Sequence, residues 1–486
     1  MRKKFAGNLL LLIFANLLVK PFWIFGIDRV VQNRVQPEEY GTYFALLNFS
    51  YLFGIVLDFG LNNFNNRAVS RHPSRLATYL PNLMVLKFGL SFLYFLVAFA
   101  SAAAWGYSML QIKMLALLAL NQVILSYILY LRSNLTALHL FKIDSVVSVL
   151  DRLLAIGFCG YFLYMPIYAH TDFNINYFIC SQTVALLITA MVAFVAIQGR
   201  TAYQLKLWRW RYVRAILMKS APFAMLGLLM TIYYRIDSIM LERMYGPAEN
   251  YTYGQSYRLL DAINQFGYLF GVPLLPLFAG MIRRREDIKD LLSFSAVLMF
   301  LFSGCAAILC AFFSHEIMHL LYTHVSGYSS NIFSLLMISF IPISSVYIFG
   351  TLLTAYGSMK VLNIIAIAGI VVNVILNLLL IPPYGAMGTT IATLITQMVV
   401  AGFHIYAANV TFKIKWEWSL LLRLGTFSVL GIVASWMLSR VPMMWMLRLG
   451  INGAVLVVLI FVLRLLPLEV LKMLRTMRMG RAESEV

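Results

Sequence analysis

Charged side chains are rare in the long apolar segments of this 486-residue chain, and all of them precede residue 262. If these segments cross a lipid bilayer, a central charge costs about 2.5 to 3.5 kcal/mol on insertion scales, so each one indicates a polar cavity or a buried partner. The charged residues are Lys20, Asp58, Lys87, Asp151, Arg152, Arg235, Asp237, Arg258 and Asp261. For Lys87 and the pair Asp151–Arg152 we favour a structural role or extension toward the membrane interface.

Two arginine–aspartate pairs stand out among these residues. In the segment YYRIDSIML, Arg235 and Asp237 lie about 200° apart around a helix, so we expect one to face a cavity and the other a packed partner. Arg258 and Asp261 are spaced i, i+3 and share a helix face. The residues favour either structural ion pairs or an arginine that presents its charge to an anionic substrate, since a guanidinium stays charged and binds phosphate bidentately.

Lys20 is a third candidate cation for a substrate cavity, beside Arg235 and Arg258, because Pro21 breaks the helix there and frees backbone carbonyl groups. The acidic candidates for charge partners or gating residues are Asp237, Asp261, Asp58 and Asp28. Asp58 precedes an asparagine-rich run, so it either caps a helix or gates the cytoplasmic mouth of the cavity. Capping is the favoured interpretation.

One segment fits a catalytic zinc motif. His315-Glu316-Ile317-Met318-His319 places two histidines one helical turn apart with a glutamate between them. A catalytic zinc needs a third protein ligand, yet His324 lies in a predicted loop, and His404 and the later carboxylates are predicted at the cytoplasmic face. The sequence contains no P-loop lysine motif. We therefore predict that the chain is not an enzyme, holds no metal and does not hydrolyse ATP.

The composition places these residues in a membrane protein. Hydrophobic residues make up 61% of the chain and charged residues 12%, whereas a soluble domain is about half apolar and about a quarter charged. Continuous apolar runs predict transmembrane helices and not barrel strands, which alternate apolar and polar residues. We predict an all-α polytopic fold of about fourteen spans, with twelve as the alternative. The spans lie near 6–27, 41–61, 82–107, 111–131, 145–165, 174–197, 221–243, 252–279, 291–313, 331–355, 361–381, 385–408, 419–438 and 447–466.

Basic residues collect in alternate predicted loops. Of the 38 lysines and arginines, 27 fall in the termini and one set of loops, and six fall in the other set. This positive-inside bias predicts that both termini are cytoplasmic. It also accounts for the net charge of +19, which therefore indicates topology and membrane lipid as the surroundings, and not a nucleic-acid partner.

A weak internal repeat relates the two halves of the chain. Ile27-Asp28 and Ile236-Asp237 each end a predicted span, and each is followed by a Pro-x-Glu loop and a tyrosine. An even number of spans separates the copies, so they have the same orientation and predict two parallel six-helix lobes around a central cavity. We place the lobes at 1–205 and 206–410, two appended helices at 411–466, and a cytoplasmic tail at 467–486.

Several segments carry a family resemblance. LDFGLNNFNNR in the second span, YYRIDSIML in the seventh, the loop ERMYGPAENYTYGQSYRLLDA and the run VPLLPLF resemble the polysaccharide transporters, or O-antigen flippases, of the multidrug/oligosaccharidyl-lipid/polysaccharide exporter superfamily. The resemblance implies a V-shaped cavity lined mainly by spans one, two, seven and eight. It also implies transfer of an undecaprenyl-pyrophosphate-linked oligosaccharide across the bacterial inner membrane by alternating access, with a polysaccharide polymerase as an assembly partner.

The resemblance leaves related functions open. The substrate could be an O-antigen, capsule or exopolysaccharide unit. A lipid II flippase or an ion-coupled exporter of small molecules could have the same fold. Coupling to H⁺ or Na⁺ is open as well, and we expect no other cofactor. An exporter of cationic molecules would need an acidic cavity, whereas Lys20, Arg235 and Arg258 predict a basic one.

Overall fold

The computed structural model describes residues 19, 21–72, 74, 76–164, 173–198, 210–414 and 416–465. The regular elements in these residues are all helical, without a β-strand, which confirms the predicted all-α class. Most of the predicted first span, near 6–27, and the whole predicted tail, 467–486, lie outside the described residues.

The described helices follow one another with short connections. A π-helical turn at Trp23–Asp28 leads into the first α-helix. The helices are α1 (Arg29–Arg34), α2 (Pro37–Leu52), α3 (Leu61–Arg71), α4 (Leu76–Ala104), α5 (Met109–Ala137), α6 (Phe141–Tyr164), α7 (Ile175–Gln198), α8 (Trp210–Met244), α9 (Pro247–Arg284), α10 (Lys289–Phe312), α11 (Ser314–Leu321), α12 (Gly327–Ile338), α13 (Phe340–Tyr356), α14 (Met359–Phe412), α15 (Trp418–Ser439) and α16 (Trp445–Val462).

Local sequence signals set several helix ends. Pro37 lies in the first turn of α2, where a missing N–H is tolerated. Ser108 with Gln111, and Ser326 with Ser329, form reciprocal capping boxes at the starts of α5 and α12. Gly357 ends α13 in the left-handed conformation, with φ of 88°.

Ten helices of the described residues are long and apolar enough to cross a membrane. A multi-pass membrane protein is therefore confirmed, while the count of fourteen spans stays a prediction. The predicted spans 361–381 and 385–408 form the single helix α14, which is interrupted at Gly385 with φ of 55° and ψ of −129°. Pro382 and Pro383 precede this kink and remove backbone hydrogen-bond donors from the helix.

The second predicted span, near 41–61, is broken in the structure. Helix α2 ends at Leu52, a 3₁₀ turn covers Gly54–Leu57, and α3 begins at Leu61. Phe59 and Gly60 between them have φ of 44° and 75°. Hydropathy alone did not predict this break, because the segment stays apolar through it.

The chain divides into two compact units. The first unit comprises Met1–Phe266, Leu321–His324 and Met359–Thr393, and the second comprises Gly267–Leu320, Val325–Ser358 and Leu394–Val486. In the first unit, buried apolar residues of α3 to α7, such as Leu83 and Tyr130, pack together. In the second unit, one cluster joins α9, α10, α13 and α14, and another joins α10, α15 and α16. The predicted lobes 1–205 and 206–410 stay predictions.

Candidate functional site

Arg258 on α9 forms a buried ion pair with Asp28. Its Nε lies 3.1 Å from Asp28 Oδ2, and its guanidinium carbon lies 5.0 Å from the centroid of the Phe44 ring. The side chain of Asp28 is 1% exposed. The hydroxyl of Tyr40 lies 3.1 and 3.2 Å from the two carboxylate oxygens, and Gln32 Nε2 donates to Oδ2 at 3.3 Å. Arg258 therefore neutralises a carboxylate that has left water.

Arg235 on α8 has looser and more open surroundings. Its Nη1 lies 3.7 Å from Asp261 Oδ2, and both side chains are 26% exposed. The same nitrogen donates to Asn48 Oδ1 at 3.3 Å, and the guanidinium carbon lies 5.1 Å from the Tyr51 ring centroid. A guanidinium carries five N–H donors, so the contacts among the described residues leave most of this capacity for a ligand. Arg235 is therefore the stronger candidate anion-binding residue.

These pairs differ from the pairing that sequence spacing favoured. Arg258 and Asp261 lie on adjacent turns of α9, but Arg258 pairs with Asp28 and Asp261 with Arg235. The reason is tertiary, because the π-helical turn before α1 supplies Asp28 and α8 supplies Arg235. Each partner comes from a different part of the sequence.

Asp237 faces a different environment from Arg235, as the two-residue spacing predicted. It is 3% exposed. Asn377 Nδ2 and Thr393 Oγ1 each donate to its carboxylate at 2.7 Å, and the Tyr253 hydroxyl donates at 3.3 Å. The ion pairs found among the described residues involve other carboxylates. A buried carboxylate with only neutral partners is costly when ionised, so it favours a bound proton or cation.

Two further asparagine contacts complete this cluster. Asn377 Nδ2 lies 3.1 Å from Asn373 Oδ1, and Asn377 Oδ1 is buried without a partner among the described residues. The cluster thus combines carboxylate, hydroxyl and amide oxygens, which are ligands for hard cations. Our sequence analysis missed Asn373, Asn377, Thr393 and Tyr253. The available signal was the i, i+4 pair of asparagines in an otherwise apolar helix.

The aspartates of the internal repeat thus have unequal partners. A tyrosine of the following helix donates to each, Tyr40 to Asp28 and Tyr253 to Asp237. Asp28 also has the cation of Arg258, whereas the contacts of Asp237 among the described residues are neutral. The repeat therefore predicted two similar positions, and the structure gives them different electrostatics.

Asn250 links the helices that carry these residues. Its Nδ2 donates to the carbonyl oxygen of Gly41 at 2.8 Å, and its Oδ1 accepts from Ser238 Oγ at 2.8 Å. Helices α2 and α9 approach so closely that a Cβ at Gly41 would collide with the carbonyl oxygen of Pro247. This contact fixes the positions of α2, α8 and α9 in the first unit.

Asp58 and Lys87 lie at the break between α2 and α3. Lys87 is 1% exposed, and its Nζ donates to the Leu57 carbonyl oxygen at 2.8 Å and lies 3.7 Å from Asp58 Oδ1. Asp58 Oδ1 accepts from the backbone N–H of Asn62 at 3.2 Å. These contacts agree with a capping role for Asp58 and a structural role for Lys87. Lys20 lies outside the described residues, and its role in a cavity stays a prediction.

The zinc-like motif has other contacts. Glu316 Oε1 accepts from Arg448 Nη2 at 3.1 Å, and the rings of His315 and His319 lie 4.2 Å apart. Within the described part of the chain, no group of three or more His, Cys, Asp or Glu side chains is placed to hold a metal ion. The motif is therefore better explained as part of a helix, α11, that is joined to α16 by an ion pair.

The sequence matches one family model over most of its first two thirds. Residues 6–282 match the family described as polysaccharide biosynthesis protein. An uncharacterized membrane protein of Methanocaldococcus jannaschii is 28% identical over 192 residues, which cover 40% of this chain and 45% of that protein. The match thus spans less than half the length of this curated relative.

Solved structures share the fold. The lipid II flippase MurJ, in an inward closed conformation, has a TM-score of 0.68 and 15% identity, with 92% of this chain and 97% of that chain covered. An inward-facing multidrug resistance MATE family transporter of the MOP superfamily has 0.62 and 12%, with 82% and 98% covered. A MOP superfamily transporter from Pyrococcus furiosus has 0.56 and 12%, with 84% and 96% covered. At these identities the similarity shows a common fold.

Proposed function

Because this chain belongs to the polysaccharide biosynthesis protein family, we propose that it moves an undecaprenyl-pyrophosphate-linked oligosaccharide from the cytoplasmic to the periplasmic leaflet of a bacterial inner membrane. The family match and the shared fold support a flippase or transporter and not an enzyme. The oligosaccharide is an O-antigen, capsule or exopolysaccharide repeat unit. Alternating access moves it, both termini are cytoplasmic, and a polysaccharide polymerase uses the product.

The surroundings of Arg235 carry this proposal. Its guanidinium is partly exposed, has one distant carboxylate partner and keeps donors for a ligand. A pyrophosphate group offers several anionic oxygens, and arginine binds such groups bidentately. Arg258 is less suited to this role, because its charge already balances the buried Asp28. Arg235 is thus the residue to which we assign the pyrophosphate.

Lipid II flipping is the second candidate function. The observation in its favour is the shared fold with the solved lipid II flippase, which extends over 92% of this chain. An exporter of small cations is less favoured, because Arg235 places a positive charge where such a substrate would need a negative one. The solved P. furiosus transporter is described as having a binding pocket of reverse polarity, so pocket charge varies among proteins of this fold.

Complementation separates the first two candidates. The full chain is expressed in a set of hosts that lack their own O-antigen, capsule or exopolysaccharide flippase, and in a host depleted of its lipid II flippase. We expect surface polysaccharide to return in at least one of the first hosts and growth to stay defective in the second. Rescue of growth without rescue of any surface polysaccharide would favour lipid II instead.

We further propose that Asp237 binds the coupling ion, H⁺ or Na⁺. The support is a buried carboxylate that is surrounded by neutral amide and hydroxyl groups of Asn377, Thr393 and Tyr253. Either ion would neutralise the carboxylate and change the contacts of α8 with α14. Neutralising the residue permanently should therefore separate transport from the ion gradient.

Transport into proteoliposomes with an imposed Na⁺ or pH gradient tests the coupling. The substrate is a fluorescent polyprenyl-pyrophosphate-linked saccharide, whose accessible fraction is quenched from outside. We expect one gradient to accelerate transport by the wild type and neither to accelerate Asp237→Asn. Asp144→Asn, which removes a carboxylate paired with Arg132, is the control and should keep the response. An equal response of Asp237→Asn and the wild type would refute the assignment.

A further inference from the structure

A polar cavity lies inside the first unit, beside the Arg235 site. It has a volume of about 40 Å³ and lies among α2, α5, α6 and α7. A water molecule needs roughly 10 to 15 Å³ by this measure, so the cavity accommodates two or three waters or hydroxyl groups. The polar side chains that line it are Tyr51, Asn121, Gln122, Asp151, Arg152 and Gln182. We call it the amide cavity.

One amide of this cavity has unused hydrogen-bonding capacity. Asn121 is 6% exposed, and its Oδ1 is buried without a partner among the described residues. Leaving such an acceptor unsatisfied costs free energy, and native structures satisfy the great majority of buried polar groups. The neighbouring Gln122 is 9% exposed and lines the same cavity. Two adjacent buried amides on α5 therefore offer both donors and acceptors to a ligand.

The charges around the cavity favour a neutral ligand. The charged groups that line it are Asp151 and Arg152, with Arg152 Nε 3.8 Å from Asp151 Oδ2. The guanidinium carbon of Arg152 lies 5.2 Å from the Trp23 ring. A metal cation would meet the arginine, and an anion would meet the aspartate. A polyol meets neither penalty, because hydroxyl groups donate to carboxylates and accept from amides and guanidinium groups.

The position of the cavity relates it to Arg235. Tyr51 lines the cavity, and the guanidinium carbon of Arg235 lies 5.1 Å from the centroid of the same ring. The cavity thus begins one side chain away from the residue to which we assign the pyrophosphate. In a lipid-linked saccharide, the first sugar is bonded directly to the pyrophosphate. The separation therefore matches the distance between adjacent groups of one substrate.

We propose that the amide cavity binds hydroxyl groups of the first, pyrophosphate-linked sugar of the substrate. This inference rests on the proposed function of Arg235 and extends it from the pyrophosphate to the sugar. Asn121 and Gln122 form the hydrogen bonds to the sugar, and the Asp151–Arg152 pair contacts hydroxyl groups at the mouth. The cavity selects for a sugar at this position, whereas Arg235 holds the pyrophosphate of any such lipid.

Equilibrium binding to the purified full chain in nanodiscs tests this proposal. The probes are undecaprenyl pyrophosphate without sugar and the same lipid carrying one hexose or one N-acetylhexosamine. The wild type should bind at least one sugar-linked lipid more tightly than the bare lipid. Asn121→Leu/Gln122→Leu should weaken binding of that lipid by about tenfold, the effect of losing one or two hydrogen bonds, and leave the bare lipid unchanged. Asn121→Ser serves if the leucine variant does not accumulate.

Two further variants separate this proposal from the function on which it rests. Asn82→Leu, a buried amide of α4 that donates to the Thr78 carbonyl, is the matched control and should bind both lipids normally. Arg235→Ala should weaken both lipids equally. If Arg235→Ala has no effect, the pyrophosphate assignment fails. If Arg235→Ala acts but the wild type shows no preference for sugar, or the Asn121 variants weaken both lipids alike, only the sugar cavity is refuted. Loss of ²²Na⁺ binding with unchanged lipid binding would also refute it.

Discussion

Arg235 and Arg258 are chemically identical side chains with different surroundings. Arg258 lies 3.1 Å from a carboxylate that is 1% exposed, whereas Arg235 lies 3.7 Å from one that is 26% exposed. Breaking a buried pair by removing one partner costs about 3 to 5 kcal/mol, while an open pair contributes about 1 kcal/mol or less. The two arginines should therefore respond differently to substitution.

We predict that Arg235 variants lose transport at near-normal abundance. Arg235→Lys should keep part of the activity, because the charge remains and the bidentate fork does not. Arg235→Ala should remove transport, and Arg235→Glu should remove it more completely by repelling phosphate. Immunoblots of membranes beside surface polysaccharide in a flippase-null host measure both quantities. Full polysaccharide from Arg235→Ala at normal abundance would contradict the pyrophosphate assignment.

Arg258 variants should instead lose protein. Arg258→Met leaves the buried Asp28 without its cation, at a cost of about 3 to 5 kcal/mol. Asp28→Asn/Arg258→Met removes both charges and should recover much of the abundance, because the remaining groups are neutral. The measurement is the fraction of monodisperse protein after detergent extraction. Equal losses in the single and double variants would show that the two residues do not act as a pair.

At the scale of helices, the close approach of α2 to α9 is the most restrictive feature of the first unit. The Gly41 carbonyl accepts from Asn250, and a Cβ at this position would collide with the Pro247 carbonyl oxygen. The contact is backbone against backbone, so no rotamer change can relieve it. The packing of α2 against α9 therefore depends on glycine at position 41.

We predict that Gly41→Ala separates these helices and lowers stability by about 1 to 3 kcal/mol or more, the range for overpacking. Gly89→Ala on α4 is the matched control, since nothing lies within 4 Å of a Cβ there. It should be neutral or slightly stabilising, because alanine favours helices over glycine. Thermal unfolding in detergent, followed by size-exclusion chromatography, compares the two. A normal unfolding temperature for Gly41→Ala would mean that the helices lie farther apart.

At the scale of the whole molecule, the alternation of basic loops assigns sides to the connections between helices. The chain contains four free cysteines, of which Cys180 is exposed, so labelling requires a cysteine-free background. The buried Ser329 is unsuitable as a labelling position, and exposed positions exist in each of the loops concerned.

We predict that Ser70→Cys and Arg285→Cys react with an impermeant thiol reagent only from the cytoplasm, and that Ala248→Cys and His324→Cys react only from outside. The reason is that arginine and lysine collect on the cytoplasmic side of alternate loops. Labelling of intact cells and of inverted vesicles distinguishes the sides. Reaction of Ala248→Cys from the cytoplasm would overturn the fourteen-span topology.

The sequence by itself determined the properties that depend on local chemistry. Continuous apolar runs gave an all-helical membrane protein, because a span needs about 20 apolar residues to cross the bilayer. The two-residue spacing of Arg235 and Asp237 gave them different environments, since helix geometry fixes that angle. Motifs such as LDFGLNNFNNR gave the family. Each of these inferences uses residues close together in the chain.

Only the tertiary structure decided which distant residues meet. Arg258 pairs with Asp28, and Asp237 contacts Asn377 and Thr393, across separations of 230, 140 and 156 positions. The apolar pattern of a helix shows that a polar residue needs a partner, but not which helix supplies it. The break between α2 and α3 was missed for a related reason. Its freed Leu57 carbonyl is satisfied by Lys87 of another helix, which hydropathy along the chain does not report.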